Sequence, residues 1–204
     1  MSSHPLSWWQ SQIGPVAPVG YALRRYLNTR WTRFHSLPEA KRYADSAAEN
    51  QDLLKRHNQV ADAIFTTGEI IYVYQSRYPV SRMQLNAKHA VAGRQLRGAT
   101  MRLRVKPDSG APDGKDEGQD QYQYQDDDYL ITRALVTTWK PDFFDVLVHQ
   151  VAAELESMIA IASPQSHKIY CPYDGGMDIF VANSSVAELE GRFPNWQSSR
   201  PDKL

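Results

Sequence analysis

Three short strand-like segments near the carboxyl end limit the fold of this chain more than any other feature. They are MIAIAS (158–163), HKIYCPY (167–173) and MDIFVA (177–182), and three residues separate each segment from the next. The second link is Asp-Gly-Gly, and Asp-Gly between apolar runs is the strongest local signal for a hairpin. Because parallel neighbours need a crossover of about a dozen residues, links this short predict antiparallel strands.

The clearest helical segment lies earlier in the chain, at 45–68. Ser46 with Glu49 three residues later forms a capping-box pattern, and Gly68 is a natural stop. Apolar residues recur on one helical stripe at Leu53, Leu54, Val60, Ala61, Ile64 and Phe65. The segment EIIYVYQ (69–75) follows directly, and its β-branched and aromatic residues predict a strand.

Two further helices are predicted toward the carboxyl end. Pro141 suits the first turn of a helix over 140–157. The predicted buried face of that helix consists of Phe144, Leu147, Val148, Val151 and Leu155. Ser185 with Glu188 is a second capping-box pattern, which predicts a short final helix that ends near Pro194.

The remaining pattern completes an α+β arrangement. Strands are predicted at 31–36, 99–106 and 128–140, and a short helix at 20–29. Strands that follow one another through short links favour an antiparallel or mixed sheet with helices packed on it, in a single domain. The predicted divisions are an irregular N-terminal arm (1–20), the α+β domain (21–197), a flexible acidic loop inside it (106–127) and a tail (198–204). Trp8 and Trp9 are expected to pack on the body or on a partner.

Balanced charge limits the classes of partner. The chain has 23 basic and 23 acidic side chains, so its formal net charge is zero. Dedicated nucleic-acid binders normally carry a basic excess, and nucleic acid is therefore not an expected partner. The basic side chains that would carry such binding are Arg82, Lys88, Arg94, Arg97, Arg102 and Arg104.

The sequence also predicts a cytoplasmic setting without a membrane. No run reaches the roughly 18 apolar residues of a membrane helix. The first residues lack the charged start and apolar stretch of a secretory signal. Cys171 is the single cysteine and cannot form an internal disulfide, which favours a reducing compartment.

The first candidate site lies on the strand predicted at 31–36. Strand alternation places Trp31, Arg33 and His35 on one face. An arginine and a histidine on the same face could bind an anion or position a proton donor. Lys41 and Arg42 follow a Ser-Leu-Pro turn and could return over that face. The alternative is that these charges are solvated and that the tryptophan covers the edge of the sheet.

The second candidate site is the segment YDGGMD, which contains Tyr173, Asp174 and Asp178. Asp178 lies inside a predicted strand, where aspartate is disfavoured, and a buried pair with Arg33 would explain it. No further acid or histidine lies at ligand spacing, so we expect no metal site. No nucleotide or cofactor motif is present, and Cys171 is more typical of a small buried side chain than of a nucleophile.

Several segments together resemble a family of small uncharacterised bacterial proteins. They are RWTRFHSLPEAKRYAD, LLKRHNQVAD, WKPDFFDVLV, YCPYDGGMDIFVA and RFPNW, which span about residues 29–196. In that family an Arg-x-His-Ser-Leu-Pro segment, a Lys-Arg-Tyr and a Tyr-Asp-Gly-Gly-x-Asp hairpin recur together. The resemblance implies a bacterial origin, a single domain and one site shared by 33–42 and 173–178. It implies no particular activity.

Two functional hypotheses follow. The favoured one is a non-catalytic protein-binding module, such as a toxin-immunity or accessory protein with a bacterial protein partner. The alternative is a small enzyme for a phosphorylated or carboxylated substrate, in which His35 transfers protons and Asp174 or Asp178 orients it. The candidate ligand-binding residues are Arg33, His35, Lys41, Arg42, Tyr173, Asp174 and Asp178. Neither hypothesis includes a cofactor.

Overall fold

A seven-stranded antiparallel sheet forms the centre of the protein. The computed structural model describes residues 4–77, 103–105, 130–198 and 200. The strands are β1 (Trp31–His35), β2 (Ile70–Arg77), β3 (Leu103–Val105), β4 (Leu130–Thr138), β5 (Ile159–Ala162), β6 (Ile169–Tyr173) and β7 (Gly176–Phe180). Their order is β1-β7-β6-β5-β2-β4-β3, and every neighbouring pair is antiparallel. The prediction of a single α+β domain with an antiparallel sheet is confirmed.

Helices cover both faces of this sheet. They are α1 (Pro5–Gln12), α2 (Gly20–Tyr26), α3 (Ala47–Ile64), α4 (Asp145–Ala152) and α5 (Asn183–Arg192). Buried side chains of α3, α4 and α5 form one core with Phe34, Met177 and Ile179 of the sheet. Buried side chains of α1 and α2 form a second core with Tyr72 and Tyr74 on the other face. The motif strands β1 and β7 therefore lie between two apolar layers.

Local sequence explains α3 well. Ser46 is its N-cap, and its hydroxyl accepts a hydrogen bond from the Glu49 backbone N–H at 3.2 Å. Glu49 in turn accepts a hydrogen bond from the Asp45 backbone N–H at 2.6 Å. Leu53 and Val60 are buried on the face that packs against the sheet. The predicted cap and apolar stripe are thus present, although the helix ends before Gly68.

The prediction of an irregular arm over residues 1–20 is wrong, because Pro5–Gln12 forms α1. Pro5 occupies the first helical turn, where its fixed φ suits a helix and its missing N–H costs no hydrogen bond. Trp8 and Trp9 are buried, and the Trp9 indole donates a hydrogen bond to the Val16 carbonyl at 2.8 Å. Burial of two tryptophans offsets the entropy cost of ordering this segment.

The helix predicted over 140–157 is shorter than expected. It spans only Asp145–Ala152, because Asp142 and Glu154 adopt left-handed backbone angles (φ 58° and 56°) on either side of it. Leu155 consequently lies beyond the helix and is 58% exposed, so its predicted place on the buried face is wrong. The predicted cap at Ser185 is also wrong, since α5 begins at Asn183 and Ala182 is its N-cap.

Some predicted features fall outside the described residues. These are the acidic loop at 106–127 and most of the basic side chains considered for nucleic-acid binding, from Arg82 to Arg102. Arg104 lies in β3, but its side chain is outside the described part. Within the described ranges, no helix has both the length and the apolar character to cross a membrane.

Candidate functional site

The two sequence motifs meet where β1 pairs with β7. In the antiparallel register Arg33 lies opposite Asp178, and His35 lies opposite Gly176. Residues directly opposite each other point to the same face of a sheet, and so do residues two apart on one strand. Trp31, Arg33, His35 and Asp178 therefore share one face.

Asp178 accepts hydrogen bonds from two side chains on β1. Its Oδ1 accepts from Arg33 Nε at 2.8 Å and from Trp31 Nε1 at 2.9 Å, while Oδ2 accepts from Arg33 Nη2 at 3.2 Å. Arg24 Nε of α2 lies 3.7 Å from Oδ2. Asp178 is only 3% exposed, and a buried carboxylate is tolerated where cations and donors surround it in this way. The Arg33–Asp178 pair suggested by the sequence is present.

Aromatic rings enclose the guanidinium group of Arg33. The group lies 4.5 Å from the ring centroid of Tyr173 and 5.6 Å from that of Trp31. Burial alone would lower the pKa of Arg33, but the hydrogen bond and charge of Asp178 outweigh it and raise the pKa. Burial raises the pKa of Tyr173 to about 12, so its phenol stays neutral. We call Arg24, Trp31, Arg33, Tyr173 and Asp178 the Asp178 cluster.

Two glycines allow the backbone to approach this cluster closely. A Cβ at Gly20 would lie 2.9 Å from Asp178 Oδ2, so glycine lets the start of α2 lie against the carboxylate. A Cβ at Gly176 would lie 2.2 Å from the Phe34 carbonyl oxygen, which no side chain could tolerate. The second glycine of the Asp-Gly-Gly link is thus required by the contact between β7 and β1.

His35 shares the face of Arg33 but does not bond to either candidate carboxylate in the described structure. The histidine is 8% exposed, and its Nε2 is buried without a hydrogen-bond partner. Burial and the charge of Arg33 lower the pKa of His35, while a backbone hydrogen bond with Gly175 acts in the opposite direction. Asp178 bonds to Arg33 and Trp31 instead. Because its pKa is lowered, the imidazole ring of His35 is neutral at neutral pH.

Lys41 points to the start of α3 rather than to the Asp178 cluster. Its ammonium group lies 2.6 Å from Glu49 Oε1 and 2.9 Å from Asp45 Oδ2. Glu39 and Ala40 adopt left-handed angles just before it (φ 55° and 56°), and the chain turns there. The expectation that Lys41 returns over the face of Arg33 and His35 thus finds no support among the described contacts.

Arg42 and Tyr43 connect this turn to two other elements. Arg42 Nε forms an ion pair with Asp174 Oδ2 at 3.0 Å, on the link between β6 and β7. Tyr43 donates a hydrogen bond from its hydroxyl to Glu154, just beyond α4. A Cβ at Gly175 would lie 3.9 Å from Arg42 Cγ, so the arginine stem lies along the same link that bonds to His35. Adjacent motif residues thus tie the turn to the hairpin and to α4.

The family relationship covers most of the chain. The sequence model described as Domain of unknown function (DUF3885) matches residues 19–201, which include α2, the Asp178 cluster and the carboxyl-terminal helix. The chain belongs to this family. Comparisons with curated proteins and with solved structures gave no significant match. The DUF3885 assignment confirms the predicted resemblance and carries no assigned activity.

A second polar group in this DUF3885 protein lies on the opposite face of the sheet. Ser36 Oγ is 2.8 Å from His57 Nε2, and His57 Nδ1 is 2.6 Å from the hydroxyl of Tyr170. All three side chains are buried in the core beneath α3. Burial lowers the pKa of His57 to about 3, so the ring is neutral and links two hydroxyl groups. The hydrogen bonds among Ser36, His57 and Tyr170 thus satisfy these buried polar groups inside the core.

The sequence did not indicate two residues of these polar groups, Arg24 and His57. Arg24 belongs to the Asp178 cluster, but it precedes both motifs and lies on a helix whose packing the sequence did not specify. His57 joins Ser36 and Tyr170 from three separate elements, and no local spacing indicates such a contact. Within the described ranges, no group of three or more His, Cys, Asp or Glu side chains is arranged to hold a metal ion.

Proposed function

We propose that this DUF3885 protein is a non-catalytic protein-binding module, such as a toxin-immunity protein or an accessory partner. The observation that carries the proposal is a set of exposed apolar side chains on α4 and next to its two ends, which we call the α4 surface. It consists of Tyr43, Phe143, Val146 and Leu155, which are 47%, 48%, 50% and 58% exposed. The Tyr43–Glu154 hydrogen bond places the tyrosine beside the turn that carries Leu155.

The composition of α4 supports this interpretation. The helix buries Leu147, Val148 and Val151 against the sheet, yet it still exposes Val146 on another side. A helix that is apolar on more than one side is usually covered by other protein. Aromatic side chains such as Tyr43 and Phe143 are also enriched in the centres of protein interfaces. A protein partner over the α4 surface would account for both features.

The contacts of the two candidate carboxylates favour binding over catalysis. In the enzymatic alternative, Asp174 or Asp178 orients His35 for proton transfer. Asp178 instead accepts hydrogen bonds from Arg33 and Trp31, and Asp174 pairs with Arg42. The same polar groups are well suited to hold β1, α2 and the hairpin in fixed positions.

Affinity capture from the native host tests the proposal, with two matched variants. Val146→Lys places a charge in the α4 surface. Val136→Lys is the control, because Val136 is 43% exposed on β4 and lies opposite Tyr72, on the other face of the sheet from α4. We expect the wild type and Val136→Lys to retain one stoichiometric protein partner, and Val146→Lys to lose it. Equal recovery with both variants, or no stoichiometric partner for the wild type, contradicts the proposal.

The narrower toxin-immunity role has its own test. If the captured partner is a toxin, production of the wild-type chain in cells that make this toxin should restore growth. The Val136→Lys variant should protect equally well, whereas Val146→Lys should not. A toxin that binds the wild type but still kills the cells would leave protein binding in place and exclude immunity.

A further inference from the structure

The side chains around Arg24 have a local excess of positive charge. Two arginines, Arg24 and Arg33, lie within ion-pair distance of the single carboxylate of Asp178. The chain as a whole is neutral, which makes this imbalance a local property. Buried or half-buried charges are normally paired, and a surplus guanidinium next to another one is costly without an anion.

Asp178 does not satisfy Arg24. Its carboxylate is occupied by Arg33 and Trp31, and Arg24 Nε remains 3.7 Å away, beyond hydrogen-bond distance. That Nε atom is buried and has no hydrogen-bond partner. The Arg24 side chain as a whole is nevertheless 26% exposed, so a ligand from solvent can reach part of it.

The surrounding structure holds Arg24 in place. Its guanidinium lies 5.7 Å from the ring centroid of Trp31, which itself donates to Asp178. Gly20 brings the start of α2 against the same carboxylate. A fixed guanidinium loses little conformational entropy when it binds, and its planar edge matches an oxyanion.

From these contacts we propose that Arg24, backed by Arg33, is a binding site for an oxyanion, namely a phosphate or a carboxylate. The anion neutralises the surplus charge and accepts hydrogen bonds from the part of the guanidinium that solvent can reach. The site would take either a free anion or an acidic side chain of a bound protein. It does not depend on the α4 surface, so it holds with or without the partner proposed above.

Titration of the purified protein tests this site with two probes, inorganic phosphate and the blocked amino acid N-acetyl-aspartate amide. Binding is followed by the NMR signal of Arg24 Nε–Hε, with sodium chloride at equal ionic strength as the reference. We expect a saturable shift with at least one probe and none with chloride. Saturation by phosphate indicates a free anion, and saturation by the blocked aspartate alone indicates an acidic side chain.

Two glutamine variants distinguish anion binding at Arg24 from a general effect of positive charge. Arg24→Gln should weaken binding at least about tenfold, which corresponds to about 1.4 kcal/mol. Arg25→Gln removes the same charge from the exposed neighbouring position of α2 and should bind like the wild type. Binding by the two glutamine variants is followed by calorimetry, and their folding is checked by circular dichroism.

Arg24→Lys keeps the charge without the planar guanidinium and provides a second variant if Arg24→Gln fails to fold. It should bind more weakly than the wild type. A linear, unsaturable response, or equal losses in Arg24→Gln and Arg25→Gln, overturns the proposal. Failure here would leave the capture experiment on the α4 surface unaffected, because that experiment changes other residues.

Discussion

Replacing Asp178 by asparagine should destabilise the protein far more than the same change at Asp174. Asp178→Asn keeps the shape of the side chain but removes the charge that pairs with Arg33, whose side chain is only 10% exposed. Removal of one partner from a buried ion pair costs about 3–5 kcal/mol, because the other charge stays buried and unpaired. Arg24 loses the same carboxylate, which adds to the effect.

Asp174→Asn is the matched control on the same hairpin. Its partner Arg42 has a side chain that is 60% exposed, and a pair in contact with solvent contributes about 0.2–1 kcal/mol. The Asp174 Oδ1 that accepts from the Gly175 N–H remains available in asparagine. The two substitutions therefore have the same chemistry and differ in burial.

Urea denaturation followed by fluorescence and circular dichroism measures the difference. With an m-value of about 2 kcal/mol/M, Asp178→Asn should lower the midpoint by about 1.5–2.5 M, and Asp174→Asn by less than about 0.5 M. Adding Arg33→Gln to Asp178→Asn should cost less than the sum of the single changes, since the buried charge is then removed as well. Equal midpoints for the two asparagine variants would refute the assignment of Asp178 as the centre of the cluster.

Three further predictions concern packing and pH. Gly176→Ala should lower the melting temperature strongly, because the added Cβ meets the Phe34 carbonyl oxygen. Gly191→Ala is the control, since a Cβ at this position in α5 meets open space. That change should be neutral or should stabilise the protein by up to about 1 kcal/mol. Trp9→Ala should cost about 3–5 kcal/mol in urea denaturation if α1 belongs to the core; a loss under about 1 kcal/mol would contradict this. Burial lowers the pKa of His57 from 6.5 in the unfolded chain to about 3 in the folded protein, so the unfolded state binds more protons between these values. The free energy of unfolding should therefore fall as the pH drops from about 6.5 toward 3. His57→Gln should flatten this pH dependence, and an unchanged slope would argue against a buried neutral ring.

Sequence patterns predicted the parts of the fold that depend on neighbouring residues. Alternation assigned Trp31, Arg33 and His35 to one face of a strand, and these residues share one face of β1 in the structure. The Asp-Gly link predicted the hairpin of β6 and β7. Aspartate inside a strand is unfavourable without a partner, and this physical conflict pointed to the pair of Asp178 with Arg33.

The features that sequence did not predict depend on tertiary contacts. Glycines and prolines in residues 1–20 favour irregular structure, whereas burial of Trp8 and Trp9 against the sheet favours α1. Leu155 keeps helical spacing, yet the left-handed turn at Glu154 removes it from the buried face. Arg24 reaches Asp178 because Gly20 lets the start of α2 lie close to this carboxylate, a contact that no local pattern indicates.

The central claim, that the protein acts by binding another protein through the α4 surface, is tested most directly by calorimetry with the captured partner. We predict that Val136→Lys binds this partner with the wild-type affinity and that Val146→Lys binds at least about tenfold more weakly, as expected for a charge within an apolar interface. Equal affinities of the two variants for the partner would contradict the account.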